Sequence, residues 1–254
     1  MKKKIFSLLF VSFLLQGCSI RPQYEELNYD QIQEKITLKE DFIYFLRADN
    51  CSSCATFNKT LKKVKKDVEV TFYAVDGYEL TSDQLAAFRS EAYSMIPDWY
   101  FSQNGYKTTS IYTPTFIKYV DGKAQCSFIG EIPYEEVLEI YDFNMLDCRF
   151  YKNYQDLIEE QGSFTILFYD SSNNTSVGIA DKVRTHVNQN NKTCYYLKNK
   201  SLSTTEKVDL LSIVNEGRET QLTSLPSVTL LKYDNGILNS CKITTLTDAE
   251  ISEI

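Results

Sequence analysis

The feature that most narrows the folds open to this chain is a unit that occurs twice. Near the start, "YDQIQEKITLKEDFIYFL" joins a polar helical stretch to an apolar strand at Phe42 to Leu46. Later, "YQDLIEEQGSFTILFY" repeats that order, with its strand at Phe164 to Tyr169. Each strand runs into a short polar loop and then a helix, "CSSCATFNKTLKKVKK" in the first copy and "TSVGIADKVRTHVNQ" in the second. Second strands follow in "VEVTFYAVD" and "CYYLKN", rich in β-branched and aromatic residues. Each copy continues with a helical stretch and then a proline that opens a strand, in "TPTFIKYVDGK" and "LPSVTLLKYDNG". Asp-Gly and Asn-Gly mark tight hairpins. An edge strand with one cysteine (Cys126, Cys241) and a final helix, "PYEEVLEIYDF" or "LTDAEISEI", close the unit.

The order β-α-β-α-β-β-α, repeated, predicts an α/β protein of two tandem domains, each a mixed four-stranded sheet flanked by helices. Boundaries fall at residues 28–149 and 150–254. A length of 254 residues suits two ordinary domains, and 43% hydrophobic residues suffice for two cores. The net charge of −7 argues against nucleic acid as a partner. The one dense basic run after the presequence, "KTLKKVKKD", reads as the solvated face and C-terminal end of a helix.

Cys51 and Cys54 stand three residues apart where the first strand gives way to its helix. Such a pair can be a redox couple, half of a metal site or two core thiols. A zinc site needs four ligands, and one CxxC with a single distant histidine, His186, does not supply them. The same shortage weakens a Cys-His hydrolase reading. A sulfur at a helix start meets free backbone N–H groups that favour the thiolate, the form that attacks disulfides. A second sulfur one turn on lies within bonding range.

A CxxC at a strand-to-helix junction, with the later Thr113-Pro114-Thr115 entering a strand, resembles the thioredoxin-like family over roughly residues 28–147. The resemblance implies that Cys51 attacks a substrate disulfide and Cys54 resolves the mixed disulfide, without a cofactor. It also implies that Pro114 is a cis-proline facing the thiols, with Thr113 beside it as part of the substrate-binding surface. Three departures stand out. Asn50 replaces the usual tryptophan, Phe45 replaces the buried acid, and Ser52-Ser53 fills the CxxC. Asp49, on the loop, is a candidate substitute for the acid. An insert before Pro114 holds the chain's single tryptophan, in "IPDWYFSQNGY", either as partner surface or as an extra packed helix.

In the second copy the same alignment puts Asn174 at the place of Cys51 and Val177 at that of Cys54, with Pro226 retained. An active domain beside an inactive one is similar to protein disulfide isomerases. Cys126, Cys148, Cys194 and Cys241 read as buried inert thiols, with a structural disulfide through Cys148 as the competing reading.

The first residues, "MKKKIFSLLFVSFLLQGC", have the charged and apolar regions of an export signal over 1–17. Leu15-Gln16-Gly17-Cys18 resembles the lipobox of bacterial lipoproteins, which implies a diacylglyceryl group on Cys18. Residues 18–27 then form a tether on the outer side of the membrane, where disulfides persist. The expected function is a membrane-anchored, extracytoplasmic thiol–disulfide oxidoreductase. Its partners would be exported proteins or peptides with disulfides or thiols, and a redox partner not identified by the sequence. The alternative is a non-catalytic thioredoxin-fold adaptor, such as an accessory protein of bacteriocin export.

Overall fold

The computed structural model describes residues 23–67, 71–148, 150–243 and 245–254. The predicted export signal and Cys18 lie outside them. The elements run β1 (Glu25–Glu26), α1 (Tyr29–Thr37), β2 (Phe42–Arg47), α2 (Ser52–Asp67), β3 (Tyr73–Asp76), α3 (Ser82–Ser94), α4 (Asp98–Asn104), β4 (Thr115–Val120), β5 (Lys123–Ile129) and α5 (Tyr134–Ile140). They continue with β6 (Met145–Asp147), α6 (Tyr151–Glu159), β7 (Phe164–Tyr169), α7 (Asn174–Asn190), β8 (Cys194–Lys198), α8 (Thr204–Asn215), β9 (Val228–Asp234), β10 (Ile237–Ile243) and α9 (Asp248–Ser252).

Two mixed sheets result, in the orders β1-β3-β2-β4-β5 and β6-β8-β7-β9-β10. In each, the first three strands are mutually parallel and the last two antiparallel. The four-stranded sheet expected for each unit is present and gains one short parallel edge strand. β1 and β6 hold two and three residues, too few to leave an alternating pattern in the sequence. Their placement also moves two borders. Residues 25–26, assigned to the tether, are sheet, and residues 145–147, assigned to the first unit, belong to the second sheet.

The strand pleat sorts side chains between helix layers. From β2, Ile43 and Phe45 enter a cluster with Phe57, Leu61 and Val64 of α2 and Val137 and Ile140 of α5. Phe42, Tyr44 and Leu46 point the other way, into a cluster with Ile32 of α1 and Phe88 and Ala92 of α3. The second sheet divides likewise. Leu167 and Tyr169 pack under α7 and α9, and Ile166 and Phe168 under α6 and α8. Both hairpins have left-handed turns, Asp121-Gly122 and Asn235-Gly236. A side chain at Gly122 would come within 2.5 Å of the Ile36 carbonyl, so glycine is required by contact as well as by φ.

The units meet through several side chains. Asn153 donates to the Met95 carbonyl at 3.2 Å, Arg184 pairs with Asp142 at 3.4 Å, and Lys198 pairs with Glu139. Trp99 and Tyr100 of α4 pack edge-on against buried Phe150 at 5.9 and 5.3 Å between ring centres. The insert is therefore an extra packed helix, and its tryptophan helps close the seam.

Candidate functional site

The site forms where β2 ends and α2 begins. Phe57, Leu61 and Val64, spaced to share one helical face, are 1%, 0% and 0% exposed and fasten α2 to the sheet. Phe57 meets Phe45 and Phe116 edge-on at 5.4 and 4.8 Å. Burial of one such ring contributes about 2–3 kcal/mol. That packing fixes where the helix starts. Cys51 stands just before it, with its carbonyl accepting the Ala55 N–H at 3.1 Å. Its sulfur accepts the Cys54 N–H at 3.0 Å. This is the place and role of an N-cap side chain, so a backbone donor is already aimed at the sulfur. Cys51 and Cys54 form a disulfide, with Cα atoms 5.2 Å apart.

Across from the pair, the Thr113–Pro114 peptide is cis. The Cys51 sulfur lies 3.2 Å from the Thr113 carbonyl oxygen. The structure thus brings together Cys51, Cys54, Thr113 and Pro114, residues 62 positions apart between the first cysteine and Thr113. The Pro114 carbonyl accepts from Gly130 N–H at 2.8 Å, which ties the loop to β5. Both cysteines are partly exposed.

The acid side of the site is different. Phe45 is 2% exposed and packs against Phe57, Phe116 and Tyr24, leaving no carboxylate beneath the pair from that strand. Asp49 does not take its place: its carboxylate binds Arg47 at 2.7 Å. Arg47 is the centre of an ion-pair cluster at this end of the sheet, reaching Glu26 of β1 at 2.6 Å and Asp76 of β3 at 2.9 Å. Its side chain is 14% exposed and that of Asp76 is 10%. Arg47→Met leaves buried Asp76 without its cation and is expected to cost about 2–3 kcal/mol in urea denaturation.

Beside the cis-proline loop, three rings of the insert, Trp99, Tyr100 and Tyr106, form a run that Tyr112 extends. Tyr112 packs against Tyr106 at 4.5 Å, Tyr106 against Tyr100 at 6.2 Å, and Tyr100 against Trp99 at 6.1 Å. All four rings are partly exposed. The run ends at a cleft of about 240 Å³ between the units, lined by Trp99, Tyr100, Phe150, Lys198 and Lys200. Tyr112 is the one ring of the four outside the stretch singled out in the sequence, and its place two residues before Pro114 was the available signal.

In the second unit the aligned positions shift by one. Asn173, not Asn174, takes the place of Cys51: its side chain caps α7, accepting from Thr175 and Ser176 N–H at 2.9 and 3.2 Å. Ser176, fully buried, takes the place of Cys54 instead of Val177. Strand register likewise corrects Pro226. Thr115 pairs with Leu46, and Thr229 with Phe168, so Val228 matches Pro114. Among the described residues Thr113–Pro114 is the single cis peptide. Cys126, Cys148, Cys194 and Cys241 are thiols, the first three buried. Burial pushes the Cys194 thiol up to about 12, which makes it inert at neutral pH.

No protein-family model matches the chain. No curated protein matches it by sequence. Among solved structures, thioredoxin f2 of Chlamydomonas reinhardtii is similar at 16% identity and a TM-score of 0.31, over 46% of this chain and 93% of that one. A Fasciola hepatica thioredoxin is similar at 18% identity and a TM-score of 0.33, over 46% and 95%. The zinc-bound form of human ERp44 is similar over 90% of this chain and 56% of that one, at 10% identity and a TM-score of 0.32.

Proposed function

We propose that this chain is a thiol–disulfide oxidoreductase that works through Cys51 and Cys54 on exported proteins, held outside the cytoplasm by a lipid on Cys18. The observation that carries the reading is the Cys51 sulfur, placed at a helix start, bonded by the Cys54 N–H and 3.2 Å from the carbonyl before Pro114. In the reducing direction, the Cys51 thiolate attacks one sulfur of a substrate disulfide. That bond breaks, and the departing sulfur takes a proton from water. The Cys54 thiolate then attacks the Cys51 sulfur and expels the second substrate thiol, leaving the Cys51–Cys54 disulfide. Two electrons have passed to the substrate. The same steps reversed make the chain an oxidant, and the pair's potential against its partner's sets the direction. Thr113 and Pro114 present backbone to the substrate, and the second unit is a degenerate copy that binds without chemistry. The lysines and apolar run before Leu15-Gln16-Gly17-Cys18 support export and acylation.

A second reading, a non-catalytic adaptor, is favoured by Phe45 in place of an acid and by the ring surface at Tyr112, Tyr106 and Tyr100. Insulin reduction by the protein, with dithiothreitol to regenerate it, separates the two. Acceleration lost in Cys51→Ser supports the oxidoreductase. No acceleration by the unaltered protein, in this assay or in ribonuclease reoxidation, leaves the adaptor.

A further inference from the structure

The lysines of α2 take no part in this chemistry. Lys59, Lys62, Lys63 and Lys66 are all exposed. At roughly 100° per residue they share one face of the helix, opposite Phe57, Leu61 and Val64. No acidic side chain precedes Asp67 on α2, and Asp67 is engaged by the Tyr134 hydroxyl. Such a concentration of positive charge is unusual in a chain of net charge −7.

The path of the chain says what this face meets. The Gln23 N–H donates to Asn58 of α2 at 2.9 Å. The Tyr24 ring packs on Phe45 at 5.2 Å, and Glu25 and Glu26 pair with β3. The polypeptide therefore enters the domain on the lysine-bearing helix. Only five residue steps separate Gln23 from Cys18, and a fully extended run of that length spans at most roughly 17 Å. Helix α2 is itself about 24 Å long.

We infer that the lysine face of α2 lies on an anionic lipid surface; the inference rests on the reading of Cys18 as acylated. An acyl anchor and a cluster of cations are two attachments that strengthen each other. An acidic peptide would match the same charge, but the short leash would hold this helix at the headgroups first. The arrangement turns a freely swivelling lipoprotein into an oriented one. Cys51, at the N-terminal end of α2, is then kept near the membrane surface, where newly exported chains emerge.

The test uses the full-length protein as purified after export in a bacterial host, on vesicles of phosphatidylcholine alone or of equal parts phosphatidylcholine and phosphatidylglycerol. Flotation reports anchoring, and labelling by a water-soluble amine reagent, read by mass spectrometry, reports the face. Lys59, Lys62, Lys63 and Lys66 should label about fivefold more slowly on the anionic vesicles, and high salt should erase the difference. Lys39 and Lys182, exposed on other elements, should not change. Equal labelling on both vesicles with normal flotation overturns the inference and leaves the anchor intact. So does slowing of all six lysines alike. Failure to float on either vesicle overturns the acylated reading of Cys18, and the inference with it.

Discussion

Cys54→Ser is expected to turn the protein into a covalent trap, accumulating adducts through Cys51 that non-reducing electrophoresis resolves. In the native pair the Cα atoms are 5.2 Å apart, so the second sulfur attacks the first without a diffusional encounter. Well-oriented intramolecular groups act at effective concentrations far above those of free thiols. Losing that step should slow release of a bound substrate on the order of a thousandfold or more at micromolar external thiol. Cys51→Ser should form no adduct, because Cys54 lies inside the first turn of α2 and lacks the contact with the Thr113 carbonyl made by Cys51. Adducts of equal yield through either cysteine would contradict the assignment of attacking and resolving roles. No adduct with any exported protein would favour the adaptor.

The parts of this site legible in the sequence were those set by local chemistry. A strand-to-helix junction bearing CxxC, and a Thr-Pro-Thr that opens a later strand, can be read without knowing the packing. The hairpins at Asp121-Gly122 and Asn235-Gly236 were legible for the same reason, since few residue pairs accept two successive left-handed conformations. What escaped was set by partners distant in sequence. Asp49 stands close to the thiols along the chain, but Arg47 holds it because Glu26 and Asp76 have already drawn that guanidinium to the sheet end. "SSNNTS" offers two adjacent asparagines as helix caps, and backbone geometry at Asn173 decides between them. Pro226 looked like Pro114 because each precedes a strand, yet strand pairing places Val228 at that level. Glu25 and Glu26 pair as an edge strand because β3 lies beside them, and two residues carry no local mark of that pairing.

The packing that builds the two sheets also predicts cooperative unfolding in alkali. Tyr44, Tyr119, Tyr151, Tyr154 and Tyr233 are each 5% exposed or less. Burial raises every one of these phenols above its ordinary value of 10.0. Tyr154 and Tyr233 also share a hydroxyl–hydroxyl contact of 2.5 Å inside the second core. The sign follows from proton counting. Above about pH 10 the unfolded chain releases these protons while the folded chain keeps them, so stability falls as pH rises. The contribution is intact below pH 10 and lost above it. Each phenol held protonated costs about 1.4 kcal/mol per pH unit, so the four most strongly raised, Tyr44, Tyr119, Tyr151 and Tyr154, together cost about 5–6 kcal/mol near pH 11. That is comparable with the whole stability of a typical domain. Cys194, raised from 9.0 to about 12, adds to the loss from pH 9 upward. Phenolate absorbance and near-ultraviolet circular dichroism should therefore change together in one steep step near pH 11. Tyr119→Phe, which removes one phenol from the pair with Tyr44 at 6.1 Å, should move that step to higher pH. Tyrosines that titrate gradually around pH 10 while the dichroism holds would mean that the buried rings reach water without unfolding, and that the cores are looser than their packing implies.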